Sequence, residues 1–271
     1  MERVLELKQG GSKDVLLMHA NAYTPGCYRQ MCSYLDGDVH ITAPYQRQLW
    51  QHSDPKDFKS WDELADDIIN YLDAHLSKPV IGIGHSMGSV ALWYAATKQP
   101  QYFEKLILIE PVILPLKAVF FSGMLPYSLS KRFLPIIKIA LNRRDRWNSR
   151  SELDSYLASK KVFQRFDKYV LDDYKEDGFI EEGGHIILRY PKAWEARIYG
   201  SAPNLWGMMK KTPCPMTVLR AQYSDVMSAE SWEKIKKRMS SAKHIELQGM
   251  GHLAPFEKPE EVAGIISDLL E

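Results

Sequence analysis

Val80-Ile81-Gly82-Ile83-Gly84-His85-Ser86-Met87-Gly88 is the stretch on which the fold turns. Its first half is a short apolar run, the pattern of a strand buried on both faces, and its second half opens an apolar helical run from Met87 to Gln99 that Pro100 stops. A serine at the tight turn between them needs strained backbone angles. Glycines at 84 and 88 remove the side chains that would strike the strand and helix on either side. The hydroxyl then points outward above the strand ends. A phosphate loop is the competing reading of such a turn, but no Lys-Ser or Lys-Thr follows and no Gly-x-Gly-x-x-Gly occupies it.

Working outward, β-rich runs recur at Val15 to His19, Val39 to Ala43, Leu106 to Glu110, Met216 to Ala221 and His244 to Leu247, with Arg3 to Leu7 the one candidate strand before them. Helical patterns alternate with them; Trp61 to His75 puts Leu64, Ile68, Tyr71 and Leu72 on one side. This is the rhythm of a doubly wound, mostly parallel α/β sheet. It breaks after Glu110 and resumes near Met216. The expected organisation is therefore a core domain of residues 1–110 and 212–271 with an inserted helical cap at 111–211, its edges punctuated by Pro111, Pro115, Pro213 and Pro215.

Composition narrows the partners. Of the 271 residues, 45% are hydrophobic and 25% charged, with a formal net charge of +1, ordinary globular values that offer no field to attract nucleic acid or an anionic membrane. Cys27, Cys32 and Cys214 have neither disulfide-framework nor metal-ligand spacing, so the expectation is reduced thiols, a cytoplasmic protein and no metal. Met1 to Gly10 lacks the apolar core of a secretory signal, and the most apolar tract, Pro111 to Leu129, is broken by Pro115, Lys117 and Pro126, so no stable membrane insertion is expected. Nothing in the sequence decides against a homodimer.

A serine hydroxyl is a poor nucleophile until a base meets it and a third group holds the base. His252, in Gly249-Met250-Gly251-His252 between the last strand and last helix, is the expected base. Asp225, in the loop after the Met216 strand, is the expected acid. Glu110, ending the preceding strand, is its competitor, and the order Ser, Asp, His favours Asp225. Arg143, Arg144 and Arg146 could read an anionic group, but a solvated helix end is preferred.

These pieces resemble the α/β-hydrolase superfamily, in the cap-bearing branch that includes esterases, thioesterases and carbon-carbon bond hydrolases. The resemblance rests on Leu16-Leu17-Met18-His19-Ala20-Asn21, similar to the family's His-Gly loop, on Gly84-His85-Ser86-Met87-Gly88, on Asp225, and on Gly251-His252 with Pro255, Glu257, Lys258, Pro259 and Glu260. It implies an oxyanion hole made by the backbone N–H groups of Asn21 and Met87, and chemistry needing no cofactor. Ala20 and Ala221 replace glycines common in the family, and the usual opening two-strand hairpin is reduced to one strand. Serine at the elbow points to acyl transfer, where dehalogenases and epoxide hydrolases carry aspartate.

His19, Phe120, Phe121, Met124 and Tyr127 are the expected substrate-binding residues for a small acyl substrate of small to medium length, although the apolar ones serve equally as the cap's own core. The expected function is carboxylic ester hydrolysis through an acyl-enzyme. Thioester or carbon-carbon bond hydrolysis on the same fold is one alternative, and a silent small-molecule-binding protein another.

Overall fold

The computed structural model describes residues 3–75, 78–115, 134–210 and 212–271. Its frame is a seven-stranded sheet: β1 (Val4–Lys8), β2 (Lys13–Met18), β3 (Val39–Pro44), β4 (Val80–His85), β5 (Phe103–Ile109), β9 (Met216–Tyr223) and β10 (Lys243–Gly251), in the spatial order β1-β3-β2-β4-β5-β9-β10. Only β1 runs antiparallel, against β3; the other neighbours are parallel. Among the described residues the sheet thus starts with a single strand, as the sequence leads one to expect.

Alternation along the strands divides the core. Val15, Leu17, Ile81, Ile83, Ile107 and Ile109 pack on one face, where α1 (Arg29–Ser33) and the C-terminal α9 (Pro259–Leu270) supply Met31, Cys32, Val262 and Ile266. Leu16, Met18, Val80, Leu106 and Leu108 pack on the other, against Leu64 and Ile68 of α2 (Asp62–His75), Val90 and Trp93 of α3 (Met87–Lys98), and Trp232 and Ile235 of α8 (Ala229–Arg238). Because both faces are covered, β4 is buried throughout its length. Burying each such aliphatic side chain stabilises the fold by about 1.5–3 kcal/mol.

Chain direction reverses at β2, whose neighbours are β3 on one side and β4 on the other. The carboxyl ends of strands at such a switch point form the crevice where ligands bind in open α/β sheets. The described part of the segment between β5 and β9 lies over this edge. It contains α4 (Pro135–Leu141), β6 (Arg146–Trp147), α5 (Arg150–Ala158), α6 (Lys168–Asp177), β7 (Phe179–Glu182), β8 (His185–Leu188) and α7 (Lys192–Tyr199). It is fastened by the buried Asp177, which accepts from the Gly26 N–H at 2.9 Å and from the Tyr45 hydroxyl. Asp167 N–H donates to the Phe256 carbonyl at 2.8 Å, and Arg165 pairs with Glu257 at 2.8 Å.

The described part of the insertion carries strands besides its helices: β6, β8 and β7 form a three-stranded antiparallel sheet. The signal was present in Phe179 to Leu188, where Gly183-Gly184, both at positive φ, makes a two-residue hairpin turn between short strands. No helix among the described residues is long and apolar enough to cross a membrane.

Candidate active site

Ser86 sits between β4 and α3 with φ 54° and ψ −114°, a conformation that costs a non-glycine residue about 1–3 kcal/mol. The fold holds it there. The Ser86 N–H donates to the Ile109 carbonyl on β5 at 2.9 Å, and the Ser89 hydroxyl donates to the Gly84 carbonyl at 2.7 Å. A Cβ on Gly84 would lie 2.5 Å from Ser89 Cα, and one on Gly88 would lie 2.1 Å from the Met18 carbonyl oxygen. The second contact shows how closely the first turn of α3 rides over the end of β2.

From the edge of the sheet, the loop after β10 delivers His252. Its Nε2 is 3.0 Å from Ser86 Oγ, and its Nδ1 is 3.0 Å from Glu110 Oε2. Glu110 has no solvent exposure. Its Oε1 accepts from the Ala221 N–H at 2.6 Å, and its Oε2 also accepts from the Ser224 hydroxyl at 2.6 Å. An acceptor-only carboxylate requires the proton on His252 Nδ1, which leaves Nε2 free to take the serine proton.

Asp225 does not fill the expected position. It is exposed in the loop after β9, while its neighbour Ser224 turns inward to support Glu110. Chain order could not separate the two acids, because Glu110 also lies between Ser86 and His252. The informative signal was a carboxylate ending the run Leu106-Ile107-Leu108-Ile109, since burial there demands hydrogen-bond partners.

Met87 opens α3, so its N–H is one of the donors a helix leaves unmatched in its first turn. Asn21 lies in the turn after β2, and its N–H meets no acceptor among the described residues. Its side chain is occupied elsewhere: Nδ2 donates to the Glu195 carbonyl at 3.2 Å, and Oδ1 accepts from the Tyr190 hydroxyl at 2.7 Å. The left-handed residue of this turn is Ala22, at φ 70°, and not Ala20.

His19 is corrected from substrate contact to scaffold. It is fully buried, with Nδ1 3.0 Å from the Ala20 carbonyl and Nε2 accepting from the Gln46 N–H at 3.2 Å. Burial pulls its pKa down to about 4, against smaller upward pulls from the Ala20 carbonyl and Asp177. The other expected pocket residues, Phe120, Phe121, Met124 and Tyr127, lie outside the described residues.

Sequence reasoning missed Tyr28 and His85. The Ala20 N–H donates to the Tyr28 hydroxyl at 2.9 Å, that hydroxyl is 2.8 Å from His85 Nδ1, and His85 Nε2 is 2.9 Å from the His252 carbonyl. The carbonyl can only accept, so Nε2 donates, Nδ1 accepts and Tyr28 donates to it. Burial, then the nearby His252 charge, lowers the His85 pKa to about 3, keeping the ring neutral as this relay requires. Phe256 packs edge-on against both rings. No cluster of three or more potential metal ligands occurs among the described residues.

The geometry joins a strained serine, an imidazole and a buried carboxylate in one hydrogen-bonded line. Comparison with known proteins places it in context. The chain is 32% identical over 105 residues to the AB hydrolase superfamily protein YfhM of Bacillus subtilis (strain 168), a match spanning 38% of this chain and only 37% of that protein. The crystal structure of E-2-(acetamidomethylene)succinate hydrolase superposes with a TM-score of 0.79 at 18% identity, covering 98% of this chain and 94% of the other. A thioesterase domain from the curacin biosynthetic pathway superposes with a TM-score of 0.74 at 15% identity, covering 97% and 93%. Residues 15–265 match the alpha/beta hydrolase family, and the chain belongs to it.

Proposed function

We propose that the protein is a serine hydrolase that cleaves a carboxylic ester through an acyl-enzyme, with Ser86 as nucleophile, His252 as general base and acid, and Glu110 as the group that orients the base. The observation that carries this reading is the pair of 3.0 Å contacts from His252 to Ser86 Oγ and Glu110 Oε2. His252 Nε2 takes the Ser86 proton as Oγ attacks the acyl carbon, and the buried carboxylate stabilises the imidazolium that forms. The developing oxyanion lies against the backbone N–H groups of Asn21 and Met87, each such donor contributing about 2.7–4 kcal/mol. His252 then protonates the leaving alkoxide, and the same imidazole activates water to release the acid. Thioesters enter the same cycle, and the similarity to a thioesterase domain is in keeping with that.

A silent binding protein would have no need of a strained serine, a matched tautomer and a fully hydrogen-bonded buried acid together. The decisive experiment pairs fluorophosphonate labelling with a chain-length series of activated esters. Wild type should label at Ser86 and turn over short to medium acyl esters; Ser86→Ala should lose both, with hydrolysis falling by roughly 10⁴-fold or more. Equal turnover by wild type and Ser86→Ala, or no labelling of the folded protein, would sink the proposal.

A further inference from the structure

The cycle above leaves Arg143 without a role, yet it is no solvated helix end. Its side chain is 19% exposed, Nη1 donates to Glu195 Oε2 at 3.0 Å, and Nη2 donates to the Tyr174 hydroxyl at 2.7 Å. A guanidinium carries five N–H donors in a planar fork, and its Nε–H meets no acceptor among the described residues. Tyr174 is fully buried and accepts from Arg143, so its own O–H is left over. The Tyr23 ring lies 5.9 Å from that of Tyr174, and the Tyr23 hydroxyl has no hydrogen-bond partner among the described residues. Arg143 and Glu195 cancel in charge, so what the cluster holds in excess is donors. A hydrogen bond from such a donor to an anionic acceptor contributes about 1.5–3 kcal/mol.

The cluster adjoins the reacting centre. Glu195, which holds Arg143, accepts through its backbone carbonyl from the side chain of Asn21, the residue whose N–H faces the oxyanion in the proposed cycle. Tyr23 stands two residues beyond Asn21 and packs 4.7 Å from Phe256, four residues after His252.

We propose that Arg143, with the hydroxyls of Tyr23 and Tyr174, is an anion subsite that takes a carboxylate carried on the substrate within a few bonds of its reacting carbonyl, selecting half-esters of dicarboxylic acids. Its place beside the reacting carbonyl rests on the hydrolase reading. Its affinity for a carboxylate does not.

Calorimetric titration of the full chain with glutarate, which cannot turn over, tests the subsite directly. Arg143→Gln should weaken glutarate binding by roughly 30-fold and Tyr23→Phe by roughly 3- to 10-fold, the scale of a charged and a neutral hydrogen bond. Arg146→Gln, which removes an exposed arginine nearby, should leave it unchanged. Tyr23→Phe removes a hydroxyl without a partner among the described residues, so it folds even where Arg143→Gln, which strands Glu195, does not. In the kinetic arm, the ratio of kcat/KM for mono-para-nitrophenyl glutarate over para-nitrophenyl butyrate should exceed about 10 in wild type and collapse in both variants. Absence of glutarate binding in wild type, or equal binding by wild type and both variants, overturns the subsite whatever the esters show. Binding with the expected losses in a protein that cleaves neither ester would overturn the hydrolase reading and leave the subsite standing.

Discussion

At Glu110 three donors converge on a carboxylate that has no contact with solvent: the Ala221 N–H, the Ser224 hydroxyl and His252 Nδ1. Glu110→Gln replaces an acceptor with an amide, and an N–H facing His252 Nδ1 forces the proton onto Nε2, the wrong tautomer for a base. The expected outcome is a fall in kcat of roughly 10³- to 10⁴-fold on an activated ester, with the fold intact by circular dichroism. Asp225→Asn, on an exposed loop, should change stability by no more than about 0.5 kcal/mol and leave kcat close to wild type. Reversal of that pair of results would return the acid to Asp225. Ser86 and His252 were legible because their positions follow from strand-to-helix turns, a local property. The acid was not, since two carboxylates end neighbouring strands and only packing decides which one faces the imidazole.

The turn between β4 and α3 owes its shape to contacts that tolerate no additional atom. Gly88→Ala would place a methyl 2.1 Å from the Met18 carbonyl oxygen, a backbone group that has nowhere to go, and should destabilise the protein by about 4 kcal/mol or more in urea unfolding. Gly207→Ala, with nothing within 4 Å of the added carbon, provides the matched control and should be near neutral. Tyr28→Phe acts on three elements at once, because its hydroxyl links the loop after β2 to the elbow and, through His85, to the loop after β10. It leaves the Ala20 N–H unpaired, for an expected loss of about 1–3 kcal/mol in urea unfolding. Core strands could be read from the chain to within a few residues, since runs such as Val80 to Gly84 have no polar face. The hairpin of β7 and β8 was marked only by its Gly183-Gly184 turn, because four-residue strands carry too few alternations to stand out from helical surroundings.

Across the whole molecule, His19 and His85 make acid sensitivity a built-in property. Both rings are held neutral, with pKa values lowered to about 4 and about 3 from an unfolded value near 6.5, in each case chiefly by burial. The unfolded chain binds their protons first as pH falls, so stability is whole above about pH 6.5 and is lost below it, by about 1.4 kcal/mol per pH unit for each ring until about pH 4. Urea midpoints measured across that window should fall steadily; a flat profile would show that these imidazoles are not kept uncharged.

Strands β5 and β9 are immediate neighbours, and the chain departs from one and re-enters on the other. Ser86 and Glu110 are both laid down before that departure and His252 after the return, so the polypeptide in between is a cassette with its two ends anchored side by side. Evolution or an engineer can exchange such a cassette, refitting what the protein admits, while Ser86, Glu110 and His252 stay at the strand ends that already hold them.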